Sequence, residues 1–411
     1  MAIAYEGFDF TDGGICAAKG FKAAGVHCGI RKNKSKKDLA LIFAETLCNV
    51  GAVYTQNKAA AAPIVLTKEH LQNGTASAII VNSGNANACT ADGEEKAKSM
   101  AGLCARELNI NPTDVIVSST GVIGETLPIE PIMESIEELS GQLSEKGSKN
   151  AAQAIMTTDT YEKEHAVVFS INGKECHLGG IAKGSGMIEP NMATMLCFIT
   201  TDVNIEQKLL NKAVKTVADD TFNMVSIDGD TSTNDMAVVM ASGLAENKII
   251  TEQNNDYQVF VDALFSVMMN LSRDIAKDGE GATKLLECVV TGAKTKQDAK
   301  KLAKSVIKSS LFKSMMFGSD ANWGRIICAM GYSEADFSLS KTKISLSSEN
   351  GTIEVCENGM GIEFCETKAK EILSCDEIRV IISVGKGEGE AIAWGCDLTY
   401  DYVKINGDYR T

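Results

Sequence analysis

The chain has 411 residues, with 40 Lys and Arg against 54 Asp and Glu for a formal charge of −14, and 44% hydrophobic and 23% charged residues. At about 150 residues per domain, this length predicts two or three structural units with a sizeable core. The composition excludes a disordered chain, a collagen, a coiled coil and a small disulfide scaffold. The acidic balance argues against a nucleic-acid binder, which needs a basic face to neutralise phosphates. The strongest basic run, Arg31-Lys32-Asn33-Lys34-Ser35-Lys36-Lys37, leads directly into Asp38 and reads as a solvated turn. The 13 cysteines are odd in number and form no Cys-x-x-Cys pair, which fits reduced thiols used as small hydrophobes in a cytoplasmic compartment. The four histidines (27, 70, 165 and 177) have no zinc-ligand spacing. No stretch approaches the roughly 20 apolar residues of a membrane span.

In chain order, Ser77–Asn82 reads as a buried strand, and Asp92–Leu108 as a helix with Met100, Leu103, Cys104 and Leu108 on its apolar stripe. A strand over Asp114–Ser119 ends in Thr120-Gly121, and Pro131 opens a helix through Leu139. Residues 141–150 read as a loose connection, with a strand end or turn over Ile155–Thr160. Strands are expected at Val167–Ser170 and Leu196–Ile199, on either side of a glycine-rich stretch from Gly179 to Pro190. Helices are expected at Ile205–Val217, Tyr257–Ala276 and Lys296–Met316, the last with an outward lysine face, and strands at Met236–Ala241 and Leu285–Val290. The last hundred residues read as strand-rich, at Ile326–Met330, Lys341–Leu346, Gly351–Val355, Glu377–Ser383, Ala391–Asp397 and Tyr400–Ile405, with one helix near Lys368–Leu373. Strand pairs joined by short turns and mixed with long helices favour a layered α/β (α+β) fold, with mixed or antiparallel sheets sandwiched by helices. No dinucleotide or phosphate loop is present.

Four segments carry chemistry. Lys183-Gly184-Ser185-Gly186-Met187-Ile188-Glu189-Pro190-Asn191-Met192-Ala193-Thr194-Met195 fits a loop threaded beside a reacting group, or a long surface connection. A threonine nucleophile needs a base, and its own α-amine is the most economical one, so Thr194 would require a cut of the Ala193–Thr194 bond. Thr120-Gly121 offers a hydroxyl and a backbone N–H to an oxyanion, or simply ends a strand. The oxygen-rich Asp228-Gly229-Asp230-Thr231-Ser232-Thr233-Asn234-Asp235 lacks the EF-hand glutamate and reads as a rigid turn or site wall more readily than as a metal loop. In Asp278-Gly279-Glu280-Gly281-Ala282-Thr283-Lys284, a carboxylate between glycines suits an ammonium group; the alternative is a helix C-terminal turn.

The segment from Lys183 to Leu196 resembles the self-cleavage segment of the glutamate N-acetyltransferase family, also called ornithine acetyltransferases. Lys19-Gly20-Phe21, Thr55-Gln56-Asn57, Asn82–Asn87, Met156–Thr160, Asp228–Asp235, Gly279–Lys284 and the tail Tyr402–Thr411 resemble that family in the same order. The resemblance implies acetyl transfer from N2-acetyl-L-ornithine to L-glutamate through an acetyl-threonine, with acetyl-CoA a further donor in some members. It implies a fold distantly similar to N-terminal-nucleophile hydrolases. It implies cleavage between Ala193 and Thr194 into an α chain of residues 1–193 and a β chain of residues 194–411, assembled as two α and two β chains. Thr194 becomes the nucleophile and Thr120 and Gly121 the oxyanion pair. Thr157, Lys183, Thr194, Glu280, Asn406 and Thr411 contact substrate, and neither metal nor cofactor is implied. Two other classes remain in view. An N-terminal-nucleophile amidase or aminopeptidase would pass the acyl group to water, and a non-enzymatic scaffold would stay uncut.

Overall fold

The computed structural model describes residues 8–189 and 195–408. Its strands, in chain order, are β1 (Asp9–Phe10), β2 (Phe21–Val26), β3 (Leu39–Tyr54), β4 (Thr75–Asn85), β5 (Val115–Val122), β6 (Lys163–Ile171), β7 (Lys174–Lys183), β8 (Leu196–Thr201), β9 (Val225–Ser226), β10 (Met236–Ala241), β11 (Leu285–Ala293), β12 (Lys343–Ser348), β13 (Gly351–Glu357), β14 (Met360–Gly361), β15 (Glu377–Ser383) and β16 (Gly389–Cys396). They fall into two compact units. One comprises Met1–Gly184, Pro190–Phe222 and Thr231–Leu271, the other Ser185–Glu189, Asn223–Asp230 and Ser272–Thr411.

The first unit is built on a sheet of order β1-β6-β7-β8-β10-β3-β4-β5, with β2 also paired to β3. Strand β3 is 16 residues long, and its pairing with β4 slips between Phe43 and Cys48. An irregularity of this kind bends a strand. The first half of β3 pairs with β2 and β4, and the second half pairs with β10. Side-chain alternation then sorts two cores. Ala40 and Ile42 of β3 join Ile79 and Val81 of β4 with Phe198 of β8 and Val238 of β10, so the two halves of the sheet bury these faces against each other. Leu39, Leu41, Ala78 and Ile80 face the other way, onto Met100 and Cys104 of helix Gly93–Leu108 and Ile132 and Ile136 of helix Glu130–Gly141. Helix Gln207–Asp220 covers the second half of β3 so closely that a Cβ at Gly51 would meet Val214 at 2.9 Å. The expected sheets sandwiched by helices are present.

Two expectations in this unit fail for one reason, backbone approach through small residues. The supposed loose connection contains helix Ser148–Ile155, whose Ala151, Ala152, Ala154 and Ile155 are buried. A Cβ at Gly25 would meet the Asn150 carbonyl oxygen at 2.1 Å. The glycine-rich stretch begins as strand β7, where a Cβ at Gly179 would meet the Gly14 carbonyl oxygen at 2.0 Å. Glycines that signalled a loop are instead the price of close packing.

The second unit holds a sheet of order β14-β13-β12-β15-β11-β16-β9. The expected helix Lys296–Met316 is two, Lys296–Lys308 and Ser310–Phe317, broken at Ser309, whose extended backbone (ψ 116°) and hydroxyl, 3.3 Å from the Phe312 N–H, cap the second. Its lysine face is not all outward: Lys304 is half-buried and donates to the carbonyls of Asn223 (2.6 Å) and Val225 (2.8 Å). Burial pulls its pKa down to about 8. The expected strands Ile326–Met330 and Tyr400–Ile405 lie in helices Trp323–Gly331 and Tyr400–Gly407. At the second, the Thr399 hydroxyl accepts the Tyr402 N–H at 3.4 Å, and this cap prevails over the β-branched pattern that follows it. All 13 cysteines are free thiols. No helix among the described residues is long and apolar enough to cross a membrane.

Glu287 on β11 ties this sheet together. Its Oε1 accepts from Arg273 (2.7 Å) and the Trp394 indole (3.1 Å), and its Oε2 accepts from Arg379 (2.7 Å). Because Arg273 is only 8% exposed, removing the carboxylate strands much of a buried charge. Glu287→Ala is expected to cost about 3 kcal/mol, read as a lowered urea midpoint; an unchanged midpoint would show that Glu377, also in contact with Arg273, suffices.

Candidate active site

In the first unit, register brings three strand ends together. Lys183, the last residue of β7, is paired with Leu196, the first of β8, and Leu196 with Met236, the first of β10. The Met236 N–H donates to the Met195 carbonyl at 3.0 Å. The chain immediately following position 194 is therefore fixed between a strand that ends in a lysine and a strand preceded by an aspartate. Ala193 and Thr194 themselves, like Thr411, lie outside the described residues.

Two buried carboxyls interact electrostatically with Lys183, and their environments drive them apart. Asp159 accepts the Lys163 ammonium and the Gly184 N–H on Oδ1, each at 2.8 Å, and the Thr157 N–H on Oδ2 at 2.9 Å. Burial alone would raise its pKa, but the charges of Lys163 and Lys183 and these hydrogen bonds hold it well below the usual carboxylate range. Asp235, 2% exposed, goes the other way. Burial pushes its pKa well up, which Ser232 and the Lys183 charge do not reverse, and its Oδ2 has no hydrogen-bond partner among the described residues. Beside the two lysines, one carboxyl is therefore held toward its charged form and the other is pushed toward its neutral one.

Thr120 and Gly121 lie within β5, paired with Ser83 and Gly84 of β4, and so continue the strand that was expected to stop before them. Gly121 has φ +137°, and a Cβ there would meet the Gly84 carbonyl carbon at 2.3 Å, so no other residue fits without moving the backbone. The Asn234 amide donates to the carbonyls of Ser119 (2.9 Å) and Ala86 (2.6 Å), which links this pair to the start of β10. Thr55 and Asn57 latch the same loop, through the carbonyls of Ser232 (2.7 Å) and Thr231 (2.8 Å). The oxygen-rich loop is thus spent on hydrogen bonds, and no group of His, Cys, Asp and Glu among the described residues is arranged to hold a metal.

In the second unit, Glu280 is 7% exposed, and its Oε2 accepts the Asn406 amide at 2.7 Å. A Cβ at Gly186 would meet the Glu280 carboxylate at 2.3–2.4 Å, so that glycine makes the room. Lys284, from the same motif, is structural: its ammonium donates to the carbonyls of Met316 (2.6 Å) and Leu373 (2.7 Å) and to Ser319 (2.8 Å). The sequence reading gave no role to Asp159, Lys163 or Asp235. Their only signal was position, two of them inside motifs noted for other residues.

The ArgJ family profile matches residues 22–411. The chain is 53% identical to the Arginine biosynthesis bifunctional protein ArgJ of Caldanaerobacter subterraneus subsp. tengcongensis over 98% of this chain and 100% of that relative. It is 48% identical to the protein of the same name from Bacillus subtilis, over 97% of each. A solved chain of the Bacillus halodurans protein is 44% identical, with 51% of this chain and 97% of that chain matched at a TM-score of 0.49.

The Asp235 environment has a pH signature. Its folded pKa lies above the unfolded value of about 3.9, so the stability it contributes is complete below about pH 4 and is lost as pH rises toward the folded value. Asp235→Asn lacks that dependence. Its melting temperature relative to wild type should therefore climb as pH rises above about 4; a flat difference would mean the carboxyl is not raised in pKa by burial.

Proposed function

The chain belongs to the ArgJ family and is an acyltransferase of arginine biosynthesis, and from that premise we propose that it moves an acetyl group from N2-acetyl-L-ornithine to L-glutamate through an ester on Thr194. The observation that carries this reading is the strand register that sets Lys183 against the chain flanking Met195, with Lys163 and Asp159 beside it. Both amino acids present an α-carboxylate, which a buried lysine ammonium attracts.

Chemically, the precursor hydrolyses the Ala193–Thr194 peptide, leaving pieces of 193 and 218 residues (411 − 193 = 218). The freed α-amine, with an unperturbed pKa of about 8, is partly neutral near pH 7 and takes the proton of its own hydroxyl. The Thr194 oxygen attacks the acetyl carbonyl, and the oxyanion is met by the Thr120 hydroxyl and the Gly121 N–H. Collapse expels ornithine, whose amine takes the proton. The neutral amine of glutamate then attacks the ester, giving N-acetylglutamate, and the Thr194 oxygen recovers a proton. Thr157 and Lys183 serve the α-carboxylate end. Glu280, held by Asn406, attracts the ornithine side-chain ammonium, and Thr411 completes the contacts carried over from the family. The reading extends to acetyl-CoA as a second donor and to an assembly of two α and two β chains.

Intact mass under denaturing conditions tests the chemistry. Wild type should give two pieces and Thr194→Ala one, and wild type mixed with donor should gain one acetyl group on the 218-residue piece. Rapid hydrolysis of N-acetylornithine without glutamate would point to an amidase instead. Lys183→Met should lower kcat/KM for N-acetylornithine about 10- to 100-fold, as expected for the loss of a charged hydrogen bond; unchanged kinetics would remove Lys183 from the site.

A further inference from the structure

The arm that leads to the proposed scissile bond has an unusual anchor. Met187 has φ +57°, a left-handed conformation rare for a long side chain. Its own packing does not impose this, because Met187 is 43% exposed. What holds it is a single carboxylate. Asp228 accepts the Met187 N–H on Oδ2 at 2.6 Å and the Ile188 N–H on Oδ1 at 2.8 Å. Two successive backbone N–H groups turned toward one anion by a left-handed residue form a nest, and the anion stabilises the conformation that points them. The Tyr402 hydroxyl donates to the same Oδ2 at 3.3 Å, and the Asp230 N–H lies 3.3 Å from Oδ1. The arm then continues in register: the Ile227 N–H donates to the Ile188 carbonyl at 2.7 Å, and Glu189 accepts from the Ser226 hydroxyl (2.5 Å) and the Lys308 ammonium (3.1 Å). All of these residues belong to the second unit.

We propose that Asp228 is a positioning residue for self-cleavage, which locks Met187 in its left-handed turn and so fixes the direction in which the chain enters the five-residue run from Glu189 to Ala193. The inference rests on the cleavage reading above. The step it serves is a hydrolysis: the Ala193–Thr194 C–N bond breaks, the water oxygen joins the Ala193 carbonyl carbon, and its protons pass to the Thr194 nitrogen and to solvent from the new carboxylic acid. Asp228 takes no proton in it. Preorganisation of the reacting peptide is the whole contribution, and it ends when the bond is cut. The same contacts then keep the new C-terminal arm in place.

The test follows cleavage of freshly translated full-length chain by intact mass over time, for wild type, Asp228→Asn, Met187→Gly, Met187→Val and the double variant Asp228→Asn/Met187→Gly. One amide oxygen cannot replace a carboxylate for two N–H donors, so Asp228→Asn should cleave about tenfold more slowly. Met187→Val, at an exposed position that folding tolerates, should also be slow with Asp228 intact, because a β-branched residue resists positive φ. Met187→Gly should match wild type, and in the double variant glycine should recover most of the lost rate, since it adopts the turn without help. Cleavage of Asp228→Asn at the wild-type rate overturns the inference. So does a slow Asp228→Asn that glycine fails to rescue, which would make the aspartate a general structural support. A wild type that never cleaves overturns the preceding reading itself, and this inference with it.

Discussion

A carboxylate without solvent must be matched by donors and positive charge, and the arrangement around Asp159 follows from that requirement. Its oxygens are shared among the Lys163 ammonium, the Gly184 N–H and the Thr157 N–H. These partners come from the turn before β6, the start of β6 and the end of β7, so satisfying one buried charge fixes where β7 stops and where Lys183 stands. Lys183 is in turn set by register against Leu196, and Leu196 against Met236. Displacing Asp159 would leave two buried lysines with reduced compensation, a cost of about 3–5 kcal/mol.

The same cluster shows how a protein shifts identical side chains in opposite directions. Asp159 and Asp235 both feel Lys183 and both are buried. Asp159 has a second cation, Lys163, and the N–H groups of Thr157 and Gly184, whereas Asp235 meets Ser232 and leaves its Oδ2 without a hydrogen-bond partner among the described residues. In the second unit, by contrast, a charged group is used to aim backbone. Asp228 faces two N–H groups of one turn, and Glu280 sits where Gly186 leaves space for it. Glycine matters here for absent volume, and at Gly121 for both volume and φ.

Much of the architecture was legible in the residues. Long amphipathic runs such as Tyr257–Ala276 lie within helix Asn255–Lys277, with Phe260, Leu264, Val267, Met268 and Leu271 fully buried. Short apolar strands such as Met236–Ala241 stand where a continuous apolar run put them. The failures cluster where periodicity competes with a cap or with close backbone packing. Thr399 and Ser309 redirect the chain through one hydroxyl each. Helix Ser148–Ile155 hides behind a polar first turn and small residues. Lys304 and Lys313 belong to the lysine face expected to point outward, yet each spends its ammonium on buried carbonyls.

The sequence by itself determined the family and the layered α/β class, because these depend on residue type and order along the chain. Only the tertiary structure decided that the Asp159 carboxyl is held down in pKa and the Asp235 carboxyl pushed up, that Met187 turns left-handed under Asp228, and that Asn406 holds Glu280. Those properties belong to pairs of groups distant in sequence. Burial, distance and the count of donors around an oxygen exist only once the chain has folded, and no local pattern encodes them.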